Sequence, residues 1–495
     1  MPEESPRSPS LLQSLIPVIF LVGLLAASVY LFGDSSSGGP NQIALVLAAA
    51  VAAVVGAVNG YPWKTMEKGI VHGISLSLGA VLILLVVGSL IGTWILAGIV
   101  PTMIYYGLSM LSPALFFAAA CLICSLVSLA TGSSWTTAGT IGVALIGIAI
   151  AQNLNPGLAA GAIISGAYFG DKMSPLSDTT NLAPAMAGTD LFTHIRHMVW
   201  TTVPSILLAL ALFAAIGIFM DAPRDTGSLR AIQDALAGRF VIGWYLLLPL
   251  LLVLGLVVRR VPALPALLIG AMTGAVFAVL FQPEAVLAYA ASDGLPRWTA
   301  LVKGAWMALF DGYVSESGNE ALDSLLSRGG MSSMLSTVWL ILAAMTFGAV
   351  METTGMLQRI AAAILGAVRG TGSLIAATLA TAFGMNVLAS DQYIAIVLPG
   401  RMFRAEYARR GLHPKNLSRS LEDAGTMTSA LVPWNTCGAF MAQTLGVATF
   451  AYAPFAFFNL INPFVAAIYG FTGFTIDPAD PETAEAGLTV QATEV

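Results

Sequence analysis

The residues best suited to chemistry lie in one polar run, GDKMSPLSDTTNLAP, from Gly170 to Pro184. The run holds two acids, a lysine and several small oxygen-bearing side chains, namely Asp171, Asp178, Lys172, Ser174, Ser177, Thr179, Thr180 and Asn181. An apolar chain keeps a charged group away from water only where that group pairs, titrates or holds an ion, because an unpaired buried charge is very costly. The run therefore predicts a buried polar site and favours transport.

Asp171 and Asp178 are the candidates for an acid that two ions share. Exchange of Na⁺ for H⁺ needs a carboxylate that binds the cation when ionised and is neutral when protonated, so that the ions compete for one place. The spacing of the two acids would put them on one face of a continuous helix. Pro175 and the density of polar residues instead favour a broken segment, with one acid on each side of the break. We expect both acids to bind Na⁺.

The other polar residues of the run have two interpretations each. The hydroxyl and amide oxygens of Ser174, Ser177, Thr179, Thr180 and Asn181 are hard ligands of the kind that Na⁺ favours, and the same residue types also cap helices after a break. Lys172 could pair with Asp171 until sodium opens the pair, could replace the cation in an empty site, or could form a structural salt bridge.

A second polar cluster lies in the C-terminal half, at 422–438. We expect Glu422 and Asp423 to be more exposed gating or loop-pairing residues, because they adjoin the basic stretch from Arg401 to Arg419. Asn435 and Thr436, beside Pro433, are the better binding candidates there. Asp391 in ASDQY is a third candidate carboxylate, with a helix cap at the outer surface as the alternative.

The composition indicates a polytopic membrane protein. Hydrophobic residues make up 57% and charged residues 9% of the 495 positions, against about 25% charged residues in a soluble domain. We expect about eleven spans, near 11–32, 42–60, 70–91, 112–131, 136–152, 198–220, 240–258, 262–282, 334–351, 372–389 and 450–472. Four interrupted segments, 93–110, 156–190, 354–369 and 391–446, are expected to be re-entrant or broken helices, which need a cavity.

The charge of the chain limits which molecules it is expected to bind. The net charge is −5, and the sequence has no basic tract or nucleotide-binding glycine loop, so we expect no nucleic-acid partner and no cofactor beyond the transported ions. The expected partners are the lipid bilayer, monovalent cations and protons, with small organic anions and a homo-oligomer left open. Lys and Arg concentrate in loops that come out inside if the N-terminus is cytoplasmic, in the cell inner membrane.

Residues of the first half match residues of the second half at a constant difference in residue number, the difference between 156 and 414. This difference is called here the half-to-half offset. It places Pro156 and Pro175 on Pro414 and Pro433, and TGSSW at 131–135 on ASDQY at 389–393. Loop charges differ between the halves, as expected for units of opposite topology. The predicted fold is therefore an all-α polytopic membrane protein of two inverted-topology repeats, whose broken or re-entrant helices meet near the membrane midplane.

This organisation divides the chain into six segments. They are two N-terminal transmembrane helices at 1–63, a first repeat with the GDKMSPLSDTT site at 64–197, connecting transmembrane helices at 198–320, a second repeat at 321–446, a C-terminal transmembrane helix at 447–474 and a flexible acidic tail at 475–495.

The run SGAYFGDKMSPLSDTTNLAPAMAGTDLFTHIRHM, from Ser165 to Met198, resembles the signature of the NhaC-type sodium/proton antiporter family. GNEALDSLLSRGGMSSM at 318–334 and LEDAGTMTSALVPWNTCGAF at 421–440 are also similar to family segments. The resemblance implies a secondary transporter of the ion-transporter superfamily that exchanges Na⁺, or Li⁺, for H⁺ by alternating access. The alternative is a proton- or sodium-coupled transporter of small carboxylates, such as malate and lactate, or of amino acids. An intramembrane enzyme is disfavoured, because neither a GxGD nor an HExxH motif occurs.

Overall fold

The chain is described from a computed structural model that covers residues 6–32, 36, 38–220, 226–291, 294–315, 323 and 326–479. These residues form helices joined by short connections, and two isolated β-bridges, Tyr313 with Arg328 and Leu412 with Pro478, are the β-structure that they contain. Nine of the described helices are long and apolar enough to cross a membrane, or up to eleven if each of two bent pairs is one span. The all-α class and the multiple membrane spans are thus confirmed.

The N-terminal half begins with long apolar helices and ends in shorter pieces around the polar run. Its helices are α1 Leu11–Phe32, α2 Pro40–Val58, α3 Trp63–Leu96, α4 Ile99–Met110, α5 Phe116–Thr131, α6 Ser134–Thr137, α7 Val143–Ala151, α8 Pro156–Met173, α9 Asp178–Ala187 and α10 Leu191–Phe219. A π-helical turn, Ala138–Gly142, joins α6 to α7, so that 134–151 acts as one span.

The connecting region and the C-terminal half also consist of long and short helices. Their helices are α11 Thr226–Arg239, α12 Leu248–Val258, α13 Ala263–Phe281, α14 Pro283–Ala290, α15 Arg297–Phe310, α16 Leu335–Thr353, α17 Met356–Gly366, α18 Thr371–Leu388, α19 Gln392–Arg409, α20 Pro414–Leu421, α21 Met427–Ser429, α22 Thr436–Leu445, α23 Thr449–Tyr452 and α24 Phe457–Thr472. A second π-helical turn, Glu422–Thr426, joins α20 to α21.

The helix boundaries recur with the half-to-half offset that the sequence suggested. The helices that start at 134, 156 and 178 have counterparts that start at 392, 414 and 436, all at that same offset. Left-handed backbone recurs at the same spacing, because Gly132 and Ser390 both have positive φ, 67° and 60°. A non-glycine residue is strained in that region, so Ser390 is held there by its surroundings. Element by element, the two halves break their helices at equivalent places.

Each break is closed by a side chain that caps the following helix. Ser133 accepts a hydrogen bond from the backbone N–H of Thr136, and Asp391 accepts from those of Tyr393 and Ile394. Ser177 and Asn435 cap α9 and α22 in the same way. Such caps satisfy donors that a helix start leaves without intrahelical partners. The polar residues of the breaks therefore allow helices to begin inside an apolar protein.

Two pairs of glycines, on opposite faces of α8, let this helix approach its neighbours backbone to backbone. A Cβ atom at Gly166 would overlap the carbonyl oxygen of Cys121 on α5, and one at Gly170 would overlap the backbone of Leu129. At the other end of α8, Gly157 and Gly161 lie equally close to the backbone of residues 451–455. Small residues at i and i+4 are the usual means of such close packing in membranes. This packing fixes α8, which carries Asp171 and Lys172.

The connections between the long spans contain further short helices. The segments 93–110 and 354–369 each contain a short helix, α4 and α17, that begins directly after a left-handed glycine, Gly98 or Gly355. Helix α11, Thr226–Arg239, lies in the connection between α10 and α12. The tail was predicted to be flexible from residue 475, yet residues 475–479 are bound to the 411–419 region; residues 480–495 lie outside the described residues.

The start of the tail is held by charge and by backbone hydrogen bonds. The Lys415 ammonium lies 2.6 Å from the Asp477 carboxylate, and this hydrogen bond lowers the pKa of that carboxyl. The His413 N–H donates to the Asp477 carbonyl at 3.0 Å, and the Arg419 guanidinium donates to the Thr475 hydroxyl at 2.9 Å. The chain after α24 thus covers the N-terminal part of α20.

Replacing Gly166 with Ala should destabilise the protein by about 1–3 kcal/mol, because the added methyl group meets backbone that cannot rotate away. Gly79→Ala is the matched control, since Gly79 lies in α3 with no atom within 4 Å of its Cβ position, and it should stabilise by up to about 1 kcal/mol through helix propensity. Thermal unfolding in detergent measures both. Equal melting temperatures for the two variants would contradict the close packing of α8.

Candidate functional site

Asp171 lies at the end of α8, buried and held by hydroxyl groups. The Ser134 hydroxyl donates to its Oδ2 at 2.6 Å, and the backbone N–H of Ser134 donates to the same atom at 3.3 Å. The Ser177 hydroxyl also lies beside this carboxyl group and stabilises its charge. Asp171 is only 6% exposed. The acid therefore lies where the break after α8 meets the break before α6.

Lys172 pairs with Asp423 rather than with its neighbour Asp171. The Lys172 Nζ atom lies 2.5 Å from Asp423 Oδ1, and both side chains are 0% exposed. The same oxygen accepts from the Thr201 hydroxyl at 3.0 Å and from the Asn462 amide at 2.7 Å. Asp423 was expected to be exposed near the basic loop, and that expectation was wrong because π-helical turn 422–426 runs through the interior. The pair joins the two halves of the chain.

Glu422 is also buried, contrary to the expectation that it is more exposed. Its residue is 0% exposed, and the Thr179 hydroxyl donates to its Oε1 atom at 2.9 Å. The hydroxyls of Thr179 and Ser177 lie 3.2 Å apart. The Oε2 atom has no hydrogen-bond partner within the part of the chain that the structure describes. Glu422 is thus a member of the site, and its proximity to the basic stretch in sequence was misleading.

The two carboxylates predicted to bind Na⁺ differ in their surroundings. Both flank the break, as predicted, since α8 ends at Met173 and α9 begins at Asp178. Asp171 is buried, but Asp178 is exposed, because it occupies the first turn of α9 with its side chain directed outwards. The Tyr393 hydroxyl from the other half lies 3.5 Å from Asp178 Oδ2. The binding roles of both acids stay predictions.

Several of the candidate side chains form hydrogen bonds with backbone groups. The Thr180 hydroxyl donates to the carbonyls of Asp171 and Lys172, both at 3.0 Å, and so ends α8. The amide of Asn181, which is exposed, donates to the Pro175 and Ser177 carbonyls. Ser174 Oγ accepts from the N–H of Leu176 at 3.3 Å. These contacts stabilise the break, whereas the hydroxyls of Ser177 and Thr179 face acids.

The candidates of the second half form a separate polar patch. Asp391 is 5% exposed and caps α19, so it is a helix cap inside the protein rather than at an exposed outer surface. The Asn435 amide donates to Asn386 Oδ1 at 3.0 Å, and the Thr436 N–H donates to the Ser390 carbonyl at 3.0 Å. This patch holds the second break together, and its part in ion binding stays a prediction.

Equivalent contacts relate the two breaks. The hydrogen bond from Ser134 to Asp171 has a counterpart at the half-to-half offset, where the Ser429 hydroxyl donates to Gln392 Oε1 at 3.2 Å. The Tyr168 hydroxyl, one turn before Asp171, lies 3.3 Å from Ser429 Oγ and connects the halves. Among equivalent positions, the carboxylate is present in the first half and a hydroxyl takes its place in the second.

Sequence analysis missed several members of the site. They are Tyr168, Thr201, Gln392, Arg419, Ser429, Cys437 and Asn462, which are all buried. Thr201 and Asn462 are polar residues inside otherwise apolar spans, which is a usable signal. Ser134 lies in the TGSSW run that the half-to-half offset pairs with ASDQY, so the internal match could have placed it.

The chemistry of the site suits a monovalent cation and a proton. No group of three or more His, Cys, Asp or Glu side chains that could hold a metal ion occurs in the described ranges. The groups around Asp171 are one carboxylate and hydroxyls, which are hard oxygen donors. The arrangement can therefore bind a cation such as Na⁺ and can exchange protons between carboxyl and hydroxyl groups.

Comparison with known proteins gives a consistent result. Residues 166–474 match the sequence model of the Na⁺/H⁺ antiporter family. The chain is 41% identical over 435 residues to the Na(+)/H(+) antiporter NhaC of Alkalihalophilus pseudofirmus, covering 88% of this chain and 91% of the relative. It is 37% identical over 469 residues to the malate-2H(+)/Na(+)-lactate antiporter of Bacillus subtilis, with 94% and 96% covered. It is 36% identical over 483 residues to the arginine/ornithine antiporter ArcD of Halobacterium salinarum, with 96% and 95% covered.

Replacing Asp423 with Asn should destabilise the protein by about 3–5 kcal/mol, because it leaves the ammonium of Lys172 buried without its carboxylate. Adding Lys172→Met to this variant should recover part of the loss, since the unpaired charge is then gone. Denaturant or thermal unfolding in detergent measures both.

The exposed pair of Arg297 and Glu284, 2.7 Å apart with side chains 65% and 80% exposed, supplies the control. Arg297→Gln should change the stability by less than about 1 kcal/mol. Additive losses in the double variant would show that Lys172 and Asp423 do not stabilise one another.

Proposed function

This chain belongs to the Na⁺/H⁺ antiporter family, and from that premise we propose that it exchanges Na⁺ for H⁺ across the cell membrane at Asp171. The relative NhaC, which is named for that exchange, supports this proposal. The apolar spans supply the membrane setting. The site supplies a carboxylate that can bind either ion.

One observation carries the proposal: Asp171 is a buried acid whose charge no neighbouring side chain neutralises within the described residues. Lys172, the adjacent residue, is committed to Asp423. In the described part of the chain, the hydroxyl and backbone N–H of Ser134 donate to Asp171, and the hydroxyl of Ser177 is a further neutral neighbour. A buried carboxylate with only neutral partners needs a cation or a proton. Na⁺ and H⁺ then exclude each other at one oxygen pair, which couples their movement.

The buried ion pair has a supporting role in this proposal. It keeps Lys172 away from Asp171, so the lysine does not replace the transported cation. It also ties the first polar break to turn 422–426 of the other half. The interpretation of Lys172 as a structural salt-bridge residue is therefore preferred to that of a surrogate for sodium.

Alternating access would use the two equivalent halves as inverted repeats. The recurrence of helix starts at the half-to-half offset supports this proposal. The halves also contact each other reciprocally: Trp135 after the first break stacks on Phe440 of α22 with ring centroids 4.0 Å apart, and Tyr393 after the second break reaches Asp178 of α9. We orient the N-terminus and the basic 401–419 loop towards the cytoplasm, on the charge distribution of the loops.

The alternative is exchange of small carboxylates or amino acids. Relatives named for malate, lactate, arginine and ornithine are 36% or 37% identical to this chain over nearly its whole length. The structure adds the capped starts of α9 and α22, whose positive ends favour an anionic group. Na⁺/H⁺ exchange remains the preferred function, because the unpaired acid at Asp171 suits a cation directly.

Replacing Asp171 with Asn should abolish Na⁺-dependent proton movement, because the amide can neither balance a cation nor release a proton. Dye-reported proton flux in proteoliposomes after addition of Na⁺ measures this. Asp178→Asn tests the second acid in the same assay, and we expect weaker apparent Na⁺ affinity from the loss of a negative charge at the exposed end of the break.

Asp190→Asn is the matched control, since Asp190 is exposed, caps α10 through the N–H of Thr193 and contacts no site residue in the described part of the chain; its flux should stay at the level of the unaltered protein. Adding malate, lactate or amino acids instead of Na⁺ separates the two functions. Flux with these compounds and none with Na⁺ would favour the alternative, and normal Na⁺ flux in Asp171→Asn would exclude Asp171 as the shared acid.

A further inference from the structure

Two buried acids from different halves are connected by hydroxyl groups. The Ser177 hydroxyl lies beside the Asp171 carboxyl group, whose charge it stabilises, and is 3.2 Å from the hydroxyl of Thr179. The Thr179 hydroxyl in turn donates to Glu422 Oε1 at 2.9 Å. Ser177, Thr179 and Glu422 are 0%, 2% and 0% exposed. The four side chains form a continuous row, hydrogen-bonded from Ser177 to Glu422 and called here the acid-to-acid relay.

Given the proposed exchange at Asp171, we propose that the acid-to-acid relay carries the proton between Asp171 and Glu422, so that proton and cation leave the site by different routes. Glu422 is then the proton acceptor of the exchange reaction, and Thr179 is a proton carrier rather than a Na⁺ ligand. Neither role follows from Asp171 being the shared acid, because a proton could also leave directly with water.

The transfer balances with the groups present. Protonated Asp171 gives its proton to Ser177 Oγ, Ser177 gives its own hydroxyl proton to Thr179 Oγ1, and Thr179 gives its own to the ionised Glu422. Each oxygen forms one O–H bond as it loses another, so Asp171 ends ionised and Glu422 ends neutral. Hydroxyls can do this because each both donates and accepts. The bond from Thr179 towards Glu422 already has the direction that this step needs.

Glu422 has the features of a terminal proton acceptor. Its second oxygen, Oε2, is buried without a hydrogen-bond partner within the described ranges. It begins the π-helical turn 422–426, and such turns are frequent at functional sites. The charged groups that act on it are Lys172 and Asp171. An open oxygen beside a fixed positive charge and a second acid is placed to hold a proton in one state and release it in the next.

Asp423 does not compete for this role. Its Oδ1 atom already accepts from Lys172, Thr201 and Asn462. Asp423 thus already has a fixed cation and two neutral donors as charge-assisted partners. The two adjacent acids of turn 422–426 therefore have different roles. Asp423 neutralises Lys172, and Glu422 ends the relay.

The relay has no counterpart at the equivalent positions of the two halves, all of which lie within the described residues. The half-to-half offset pairs Glu422 with Ile164 in the first half, and it pairs Asp171 with Ser429 in the second. The matched halves thus share their helix breaks but differ in their ionisable groups. Only the row from Asp171 to Glu422 joins two acids through hydroxyls among these equivalent positions.

The test compares two activities in proteoliposomes: Na⁺-driven proton flux, which needs the relay, and exchange of radiolabelled Na⁺ for unlabelled Na⁺ at equal pH, which moves no net proton. Thr179→Val removes one hydroxyl and keeps the shape of the side chain. We expect proton flux to fall about 100-fold, the lower end of what a positioned proton-transfer group contributes, with Na⁺/Na⁺ exchange essentially at the level of the unaltered protein. Glu422→Gln should give the same separation, and Thr179→Ser should restore proton flux.

Thr354→Val is the control for losing a buried hydroxyl, since Thr354 is 0% exposed and donates to the backbone carbonyl of Val350 at 2.7 Å, outside the site. Both activities should be unchanged. Loss of both activities in Thr179→Val, with Thr179→Ser active, would make Thr179 a cation ligand and overturn the relay. Retention of both would overturn it too. Failure of the proposed function gives a different result, namely that Asp171→Asn keeps both activities.

Discussion

The ion pair of Lys172 and Asp423 is the interaction on which the rest of the site depends. The two residues are far apart in sequence, fully buried and in direct contact. An isolated buried charge is so costly that neither group could remain there alone. Because the lysine is occupied by this partner, its neighbour Asp171 remains an acid among neutral donors. Local charge balance thus leaves Asp171 as the acid available for the proposed ion exchange.

The helix breaks explain how such polar groups are accommodated in an apolar protein. A break exposes backbone donors and acceptors that the membrane cannot satisfy. Here Ser133, Ser177, Asp391 and Asn435 supply side-chain caps, and Thr180 satisfies the carbonyls at the end of α8. The breaks thereby turn small polar residues into structural components and leave a few hydroxyls facing the acids.

The sequence was sufficient for local features and insufficient for contacts between the halves. Each predicted span overlaps a helix or a bent pair of helices, and the break at Pro175 lies where predicted, because hydrophobic length and proline act locally. The burial of Glu422 and Asp423 and the exposure of Asp178 were missed, since these depend on which element packs opposite. The partner of Lys172 was missed for the same reason. The half-to-half offset carried more information than its few identities suggested, because helix caps and left-handed turns recur even where residue types do not.

The glycine contacts on the two faces of α8 limit how the molecule can move. Backbone atoms in direct contact cannot slide past one another without first separating, so α5, α8 and the 451–455 segment would have to travel as one rigid block. The contact of Trp135 with Phe440 is instead made by side chains, with ring centroids 4.0 Å apart. Any movement between the halves that the proposed exchange needs should therefore leave the glycine contacts intact.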